Sequence, residues 1–193
     1  MTYVILFLLA GICLGTGSWQ LAVWLGEITD KSKKYAAASA CAQEKGKPLL
    51  VVGGPWGNKR ARHLLKMPAH GSGDVCLDTD GNAIHGHPNG VIADVTYIPF
   101  SDKSFGAVFA SHLLEHLPST DDARKALAEL ERVATTVFLA YPSRQSIAGW
   151  LTPGHHLWVW QKDNATYVKQ RGKSGAKNKK EEYIVESANG KIQ

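Results

Sequence analysis

The sequence predicts a doubly wound α/β sheet preceded by one transmembrane helix. Three observations carry that reading: an uncharged stretch of 23 residues from Tyr3 to Leu25, five short apolar runs with polar or helical segments between them, and one amphipathic helix leading into the last run. A chain of 193 residues, 44% hydrophobic and 20% charged, has room for one core and a small appendage. Its 19 Gly and 8 Pro exclude collagen-like and disordered classes. The expected organisation is an anchor over 1–26, a linker or helix over 27–46, an α/β domain over 47–171, and a basic tail over 172–193 with room for a last strand.

A helix over Tyr3 to Leu25 rises about 34 Å, enough to cross a hydrocarbon core of about 30 Å. A secretory signal is the alternative, but no basic residue precedes the stretch, and it exceeds the ~7–15 apolar residues of such signals. Lys31, Lys33 and Lys34 follow it while only Met1 and Thr2 precede it, so the positive-inside rule puts the body in the cytoplasm and the N-terminus outside. Trp19 and Trp24 stand where interfacial aromatics stand. Gly11 and Gly15 form a GxxxG, short and common enough to read as tolerated glycine before a helix-packing face.

In the body, Pro48 to Gly54 is an apolar run closed by glycines, as a buried parallel strand requires. Asn58 to Lys66 fits the helix after it. Asp74 to Asp78 and Val91 to Val95 are short strands on either side of a turn-rich stretch, and Phe105 to Ser111 is a fourth. Ser119 to Ala134 is the clearest helix, with a capping hydroxyl, Asp121 and Asp122 in its first turn, and Ala123, Ala126, Leu127, Leu130 and Val133 at helical spacing. Thr136 to Tyr141 is the fifth strand, stopped by Pro142.

The net charge of +5 is concentrated in Lys169, Arg171, Lys173, Lys177, Lys179 and Lys180, without which the chain would stand at −1. Such a run fits a solvated loop or a local contact with anionic lipid, at roughly 1 kcal/mol per basic residue, and argues against a nucleic-acid-binding domain. Cys13, Cys41 and Cys76 are odd in number and scattered, which excludes a disulfide framework or zinc ribbon and fits a reducing compartment.

Residues 93–142 read ADVTYIPFSDKSFGAVFASHLLEHLPSTDDARKALAELERVATTVFLAYP. The ordered combination of an Asp after the third strand, a PF-x-D-x-SF turn, an apolar strand, HLLEHL, a helix and ERV before the fifth strand resembles the core of a class I S-adenosylmethionine-dependent methyltransferase of the small-molecule, type 11-like kind. The likeness extends back to Leu49 and forward to about Arg171, where HHLWVWQKDNATYVKQRG is similar to the family's late strand-and-helix segment. It implies a Rossmann-like sheet, S-adenosylmethionine as cofactor, and methyl transfer to a small or lipid-soluble acceptor beside the membrane.

Ligands of open α/β sheets lie outside the carboxyl ends of the strands, where the loop with Gly53, Gly54 and Gly57 would let backbone approach. Asp78, ending the second strand, can accept hydrogen bonds from both ribose hydroxyls. The resemblance further gives Asp94 the adenine amino group, places Val95 against the ring, and sets Ser111 and His112 beside the sulfonium, with His112 as the candidate proton acceptor. Val51 and Pro55 depart from the pattern, which has an acid and a glycine there; proline also removes one backbone donor. One strand, Glu182 to Glu186, stands where the family has two. These departures define the alternative: a catalytically inactive, methyltransferase-like accessory or scaffold subunit of a membrane complex.

His112, Glu115 and His116 spell the inverted zincin pattern HxxEH, but a peptidase of that class needs a further ligand and a long helical scaffold that the sequence does not offer. His85 with His87, and His155 with His156, read as solvated loop histidines, so no metal ligand set is assigned. Trp150, Trp158 and Trp160 form an apolar cluster for core packing, with a share available to bilayer or partner. Asn164 begins a glycosylation sequon that cytoplasmic placement would leave silent.

Overall fold

The computed structural model describes residues 2–53, 73–85, 87–162, 165–172 and 183–185, the last three by backbone alone. Gly54, Pro55, Gly57, the expected helix from Asn58 to Lys66, Asn164 and the run from Lys173 to Lys180 lie outside the described residues.

Helix α1 spans Thr2–Glu44, so the apolar stretch and the expected linker are one element. An 18-residue window within it has a mean hydropathy of 1.8 and none of that window is buried, long and apolar enough to cross a membrane. Further along, the composition changes and so does the role. Ala38 and Ala42 are buried against the sheet, and Tyr35 meets Phe109 edge-on at 5.5 Å. Alanine lets the helix axis come close: a Cβ on Gly106 would lie 2.8 Å from the Ala42 Cα. Gly46, at φ +59, ends the helix in a Schellman turn, its N–H donating to Gln43 O and that of Lys47 to Ala42 O.

Five strands follow: β1 (Leu49–Val52), β2 (Val75–Asp78), β3 (Gly90–Ile92), β4 (Ala107–Ser111) and β5 (Val137–Ala140). They form one parallel sheet in the order β3-β2-β1-β4-β5. Every residue of β1, β4 and β5 is buried because both faces are covered, which is why these runs are continuously apolar. On one face α1 packs over Val51, Phe109 and Phe138. On the other, α2 (Thr120–Val133) sets Ala126, Leu127, Leu130 and Val133 against Leu50, Val52, Val108 and Leu139. Ser119 caps α2, its Oγ accepting the Asp122 N–H at 3.2 Å.

The link between the PF turn and the ERV triplet is Arg132. It donates to the carbonyls of Phe100 and Ile98 at 2.8 and 2.9 Å and pairs with Asp102 and Glu129, while Glu129 accepts the Ile98 N–H at 2.8 Å. The guanidinium beside Glu129 holds that carboxyl below its usual range, and the two carboxylates push the Arg132 pKa up.

The end of the body corrects the expectation. The segment after His155 is not strand and helix but a hairpin, β6 (Leu157–Lys162) antiparallel to β7 (Ala165–Gln170). Its alternation is period two: Leu157, Val159, Thr166 and Val168 are buried, with their neighbours turned outward. β8 (Tyr183–Val185), within the expected last strand, joins β7 in this separate three-stranded sheet, so among the described residues the parallel sheet ends at β5. Leu157 and Val168 pack on Ala123 of α2. A short helix that sequence reading did not anticipate, α3 (Ile147–Leu151), precedes the hairpin, capped by Ser146.

Candidate functional site

The strand order reverses between β1 and β4, so the crevice at their carboxyl ends is the switch point where such sheets bind ligands. Gly53 follows β1 there at φ +79, and a Cβ on it would lie 2.6 Å from Ser111 O. Only glycine fits both conditions. Ser111 ends β4 fully buried, with its Oγ lacking a hydrogen-bond partner among the described residues. His112 comes next at φ +50, left-handed for a non-glycine, fixed by its N–H donating to Ala140 O at 2.8 Å. Its ring remains partly exposed.

Asp78 and Asp94 reach the same edge from β2 and from just past β3. Asp78 Oδ1 accepts from the Asp80 N–H at 2.9 Å, and Asp94 Oδ1 accepts from the N–H and hydroxyl of Thr96, each at 2.8 Å. Each carboxylate thus fixes its own turn with one oxygen and leaves Oδ2 outside those bonds. Val95, the expected flank of the ring, is 3% exposed and packs in the core with Leu77 and Ile98. Val51, where the family pattern has an acid, is fully buried on the α1 side of the sheet. Gly53, Ser111 and His112 are therefore brought together, Asp78 and Asp94 stand along the same edge, and Gly54 and Gly57 fall outside the described residues.

Sequence reasoning places Glu115 only in the HxxEH pattern, which it sets aside. Glu115 lies in the 3-10 turn Leu114–His116, 2% exposed, with neither carboxylate oxygen hydrogen-bonded. His112 Nδ1 is 3.2 Å from Glu115 Oε1 but outside hydrogen-bond geometry. The His116 ring meets His155 edge-on at 4.6 Å, and His155 Nδ1 is 3.0 Å from Gly149 O. Burial holds the His155 imidazole below its usual pKa. HxxEH and the His155–His156 pair were visible as patterns, but that they meet depends on the turn before β6.

Arg171, from the basic run, packs against the segment before β6. It donates to the carbonyls of Gly149 and Trp150 and lies 4.3 Å over the Trp158 ring. Between α1 and the chain after β5 is a cleft of about 530 Å³, lined by Val23, Gly26, Glu27, Tyr141, Arg144 and Trp160 among others. Burial pushes the Tyr141 phenol up to about 12.

Residues 61–136 match the family model described as a methyltransferase domain. No curated protein matches the chain. A crystal structure of an S-adenosylmethionine-dependent methyltransferase from Clostridium acetobutylicum is similar at 12% identity and a TM-score of 0.39, over 63% of this chain and 52% of that one. The N-methyltransferase NodS from Bradyrhizobium japonicum, solved with S-adenosyl-l-homocysteine, is similar at 10% identity and a TM-score of 0.38, over 73% of this chain and 80% of that one. The chain thus spans about half the length of the Clostridium structure. The parallel sheet in the order β3-β2-β1-β4-β5 with helices on both faces is a doubly wound, Rossmann-like α/β fold, and it contains most of the segment that matches the methyltransferase-domain model.

Proposed function

We propose that the protein is a membrane-anchored S-adenosylmethionine-dependent methyltransferase whose acceptor is a small, lipid-soluble molecule. The observation that carries the acceptor class is the direction of α1. Lys45 Nζ hydrogen-bonds Thr136 at the amino end of β5, Lys34 Nζ the Leu139 carbonyl near its carboxyl end, Glu27 the Ser143 N–H beyond it, and Gln20 the Ile147 N–H beyond that. The helix runs antiparallel to the strands, so its free apolar part, rising about 27 Å before Gln20, leaves the body at the ligand-binding edge. Ile147, Trp150 (56% exposed) and Leu151 (75% exposed) of α3 line the same end, as an interfacial contact would. The cleft beside α1 opens there too, with Val23 and Trp160 as apolar wall. Lys31, Lys33 and Lys34 favour a cytoplasmic body and an external N-terminus.

The cofactor supplies an activated methyl group on its sulfonium; the chain's share is binding, orientation and proton removal. The switch-point residues fit that task. Gly53 lets the end of β1 lie close against Ser111, whose unsatisfied hydroxyl is buried at the end of β4, while Oδ2 of Asp78 is available to ribose hydroxyls and that of Asp94 to the adenine amino group. His112, partly exposed, is the group to accept the acceptor's proton. The accessory-subunit reading draws on Val51, whose buried apolar side chain replaces the pattern's acid.

The two readings separate when the full chain in mild detergent is incubated with methyl-labelled S-adenosylmethionine and a lipid extract of its host membrane. Label in the organic phase, abolished by Asp78→Ala, is expected. Cofactor binding with no label transferred to any fraction would favour the accessory role.

A further inference from the structure

Glu115, His116 and His155 bring one ligating atom each within 4.8 Å of one another, and their arrangement has features that a chance surface cluster lacks. Glu115 is 2% exposed and neither of its oxygens receives a hydrogen bond. A buried carboxylate without donors is costly unless a cation neutralises it, and its neighbour His112, 3.2 Å from Oε1, is a cation only when protonated. His155 Nδ1 faces the Gly149 carbonyl at 3.0 Å, and since a carbonyl only accepts, the proton belongs on Nδ1 and the Nε2 lone pair is left for a ligand. Metal-bound histidines are commonly held in this way. The turn at Gly154, at φ +83, returns the chain over the 3-10 turn, and the His156 N–H donates to Glu115 O at 2.7 Å, fastening the two segments by backbone.

We propose that Glu115, His116 and His155 form a binding site for a divalent transition metal of the zinc type. One carboxylate and two imidazoles are a donor set that binds zinc with positions left for water or a substrate oxygen. With bonds of about 2.0–2.1 Å, tetrahedral donors lie about 3.3 Å apart. Binding therefore draws the donors together, by rotation of the exposed His116 and the partly exposed His155 about the fixed Glu115. Because Glu115 stands 3.2 Å from His112 at the carboxyl end of β4, the metal would hold an acceptor oxygen near the proton-accepting imidazole and lower its pKa. That role rests on the methyl-transfer reading; the metal site itself does not.

The test uses tag-free full-length protein in mild detergent, stripped with chelator and titrated with zinc by calorimetry and with cobalt(II) by visible absorption. One equivalent of zinc is expected at micromolar affinity or tighter, with the d–d band of a low-symmetry cobalt site. His155→Ala and Glu115→Gln should each weaken binding about 10–100-fold or more, while a His85→Ala, His87→Ala double variant binds as wild type does. Circular dichroism checks the folding of Glu115→Gln, and His155→Ala, at a partly exposed position, tests the site independently of it. Absence of stoichiometric binding by the wild type, equal affinity in His155→Ala, or loss of binding in the His85, His87 variant instead would overturn the proposal. Neither titration contains cofactor or acceptor, so failure of the metal site and failure of methyl transfer give different results.

Discussion

Replacing Gly53 by alanine tests how the switch point is built. Two separable penalties follow from the structure. At φ +79 a Cβ costs roughly 1 kcal/mol of backbone strain. The same Cβ would lie 2.6 Å from Ser111 O, the backbone of a central, fully buried strand that yields only by moving β4; overpacking of that kind costs about 1–3 kcal/mol more. The expected destabilisation is about 2–4 kcal/mol. Gly46 is the internal control, at φ +59 with nothing within 4 Å of its Cβ, so Gly46→Ala should cost about 1 kcal/mol from strain alone. Urea unfolding of the full chain in detergent, followed by tryptophan fluorescence, measures both. If the two variants unfold at the same denaturant concentration, the close approach of Gly53 to Ser111 is not a constraint and the geometry argued for the crevice is wrong.

Arg132→Ala should destabilise by about 2–4 kcal/mol, since it removes donors from the Ile98 and Phe100 carbonyls and leaves Glu129 unpaired; chemical denaturation checks it, and a loss below 0.5 kcal/mol contradicts the linking role. Glu129 has a depressed carboxyl pKa, so its contribution is complete above the ordinary glutamate range and declines as pH falls through the lower folded value. A wild-type minus Arg132→Ala stability difference that stays constant from neutral pH into strong acid would refute that. Tyr141 titrates at about 12 when folded against 10.0 ordinarily, so the folded form holds its proton longer and stability should fall between those values as pH rises; Tyr141→Phe should flatten that part of the profile. Replacing Gln20 and Glu27 by leucine should free the chain after β5 from α1, seen as faster amide exchange at Ser143 and Ile147, whose N–H groups they accept.

Much of the fold was legible because the burial is two-sided. β1, β4 and β5 lie under helices on both faces and therefore announce themselves as unbroken apolar runs, and α2 carries both its cap and its stripe in sequence. The hairpin of β6 and β7 was misread because its outward positions carry Trp158, Trp160 and Tyr167, which blur the period-two contrast between faces. α1 was read as two pieces since its exposed apolar part and its alanine-rich packing part differ in composition, though no breaker separates them. At the site, Asp78 follows from its position at the end of the second strand, and Asp94 and His112 from the resemblance. The burial of Glu115 is not legible in sequence because a buried unsatisfied carboxylate is a property of packing, and neither is that of Val95, where the chain turns inward one residue past Asp94.

Titration of the full chain with S-adenosylmethionine, by calorimetry in mild detergent, tests the central claim most directly. One equivalent bound at micromolar affinity is expected, weakened up to about 30-fold in Asp94→Ala by loss of one hydrogen bond of about 1–2 kcal/mol, and at least as much in Asp78→Ala. No heat of binding at millimolar ligand, or equal affinity in the wild type and both variants, would contradict the assignment of the cofactor site to the carboxyl ends of β1 to β4.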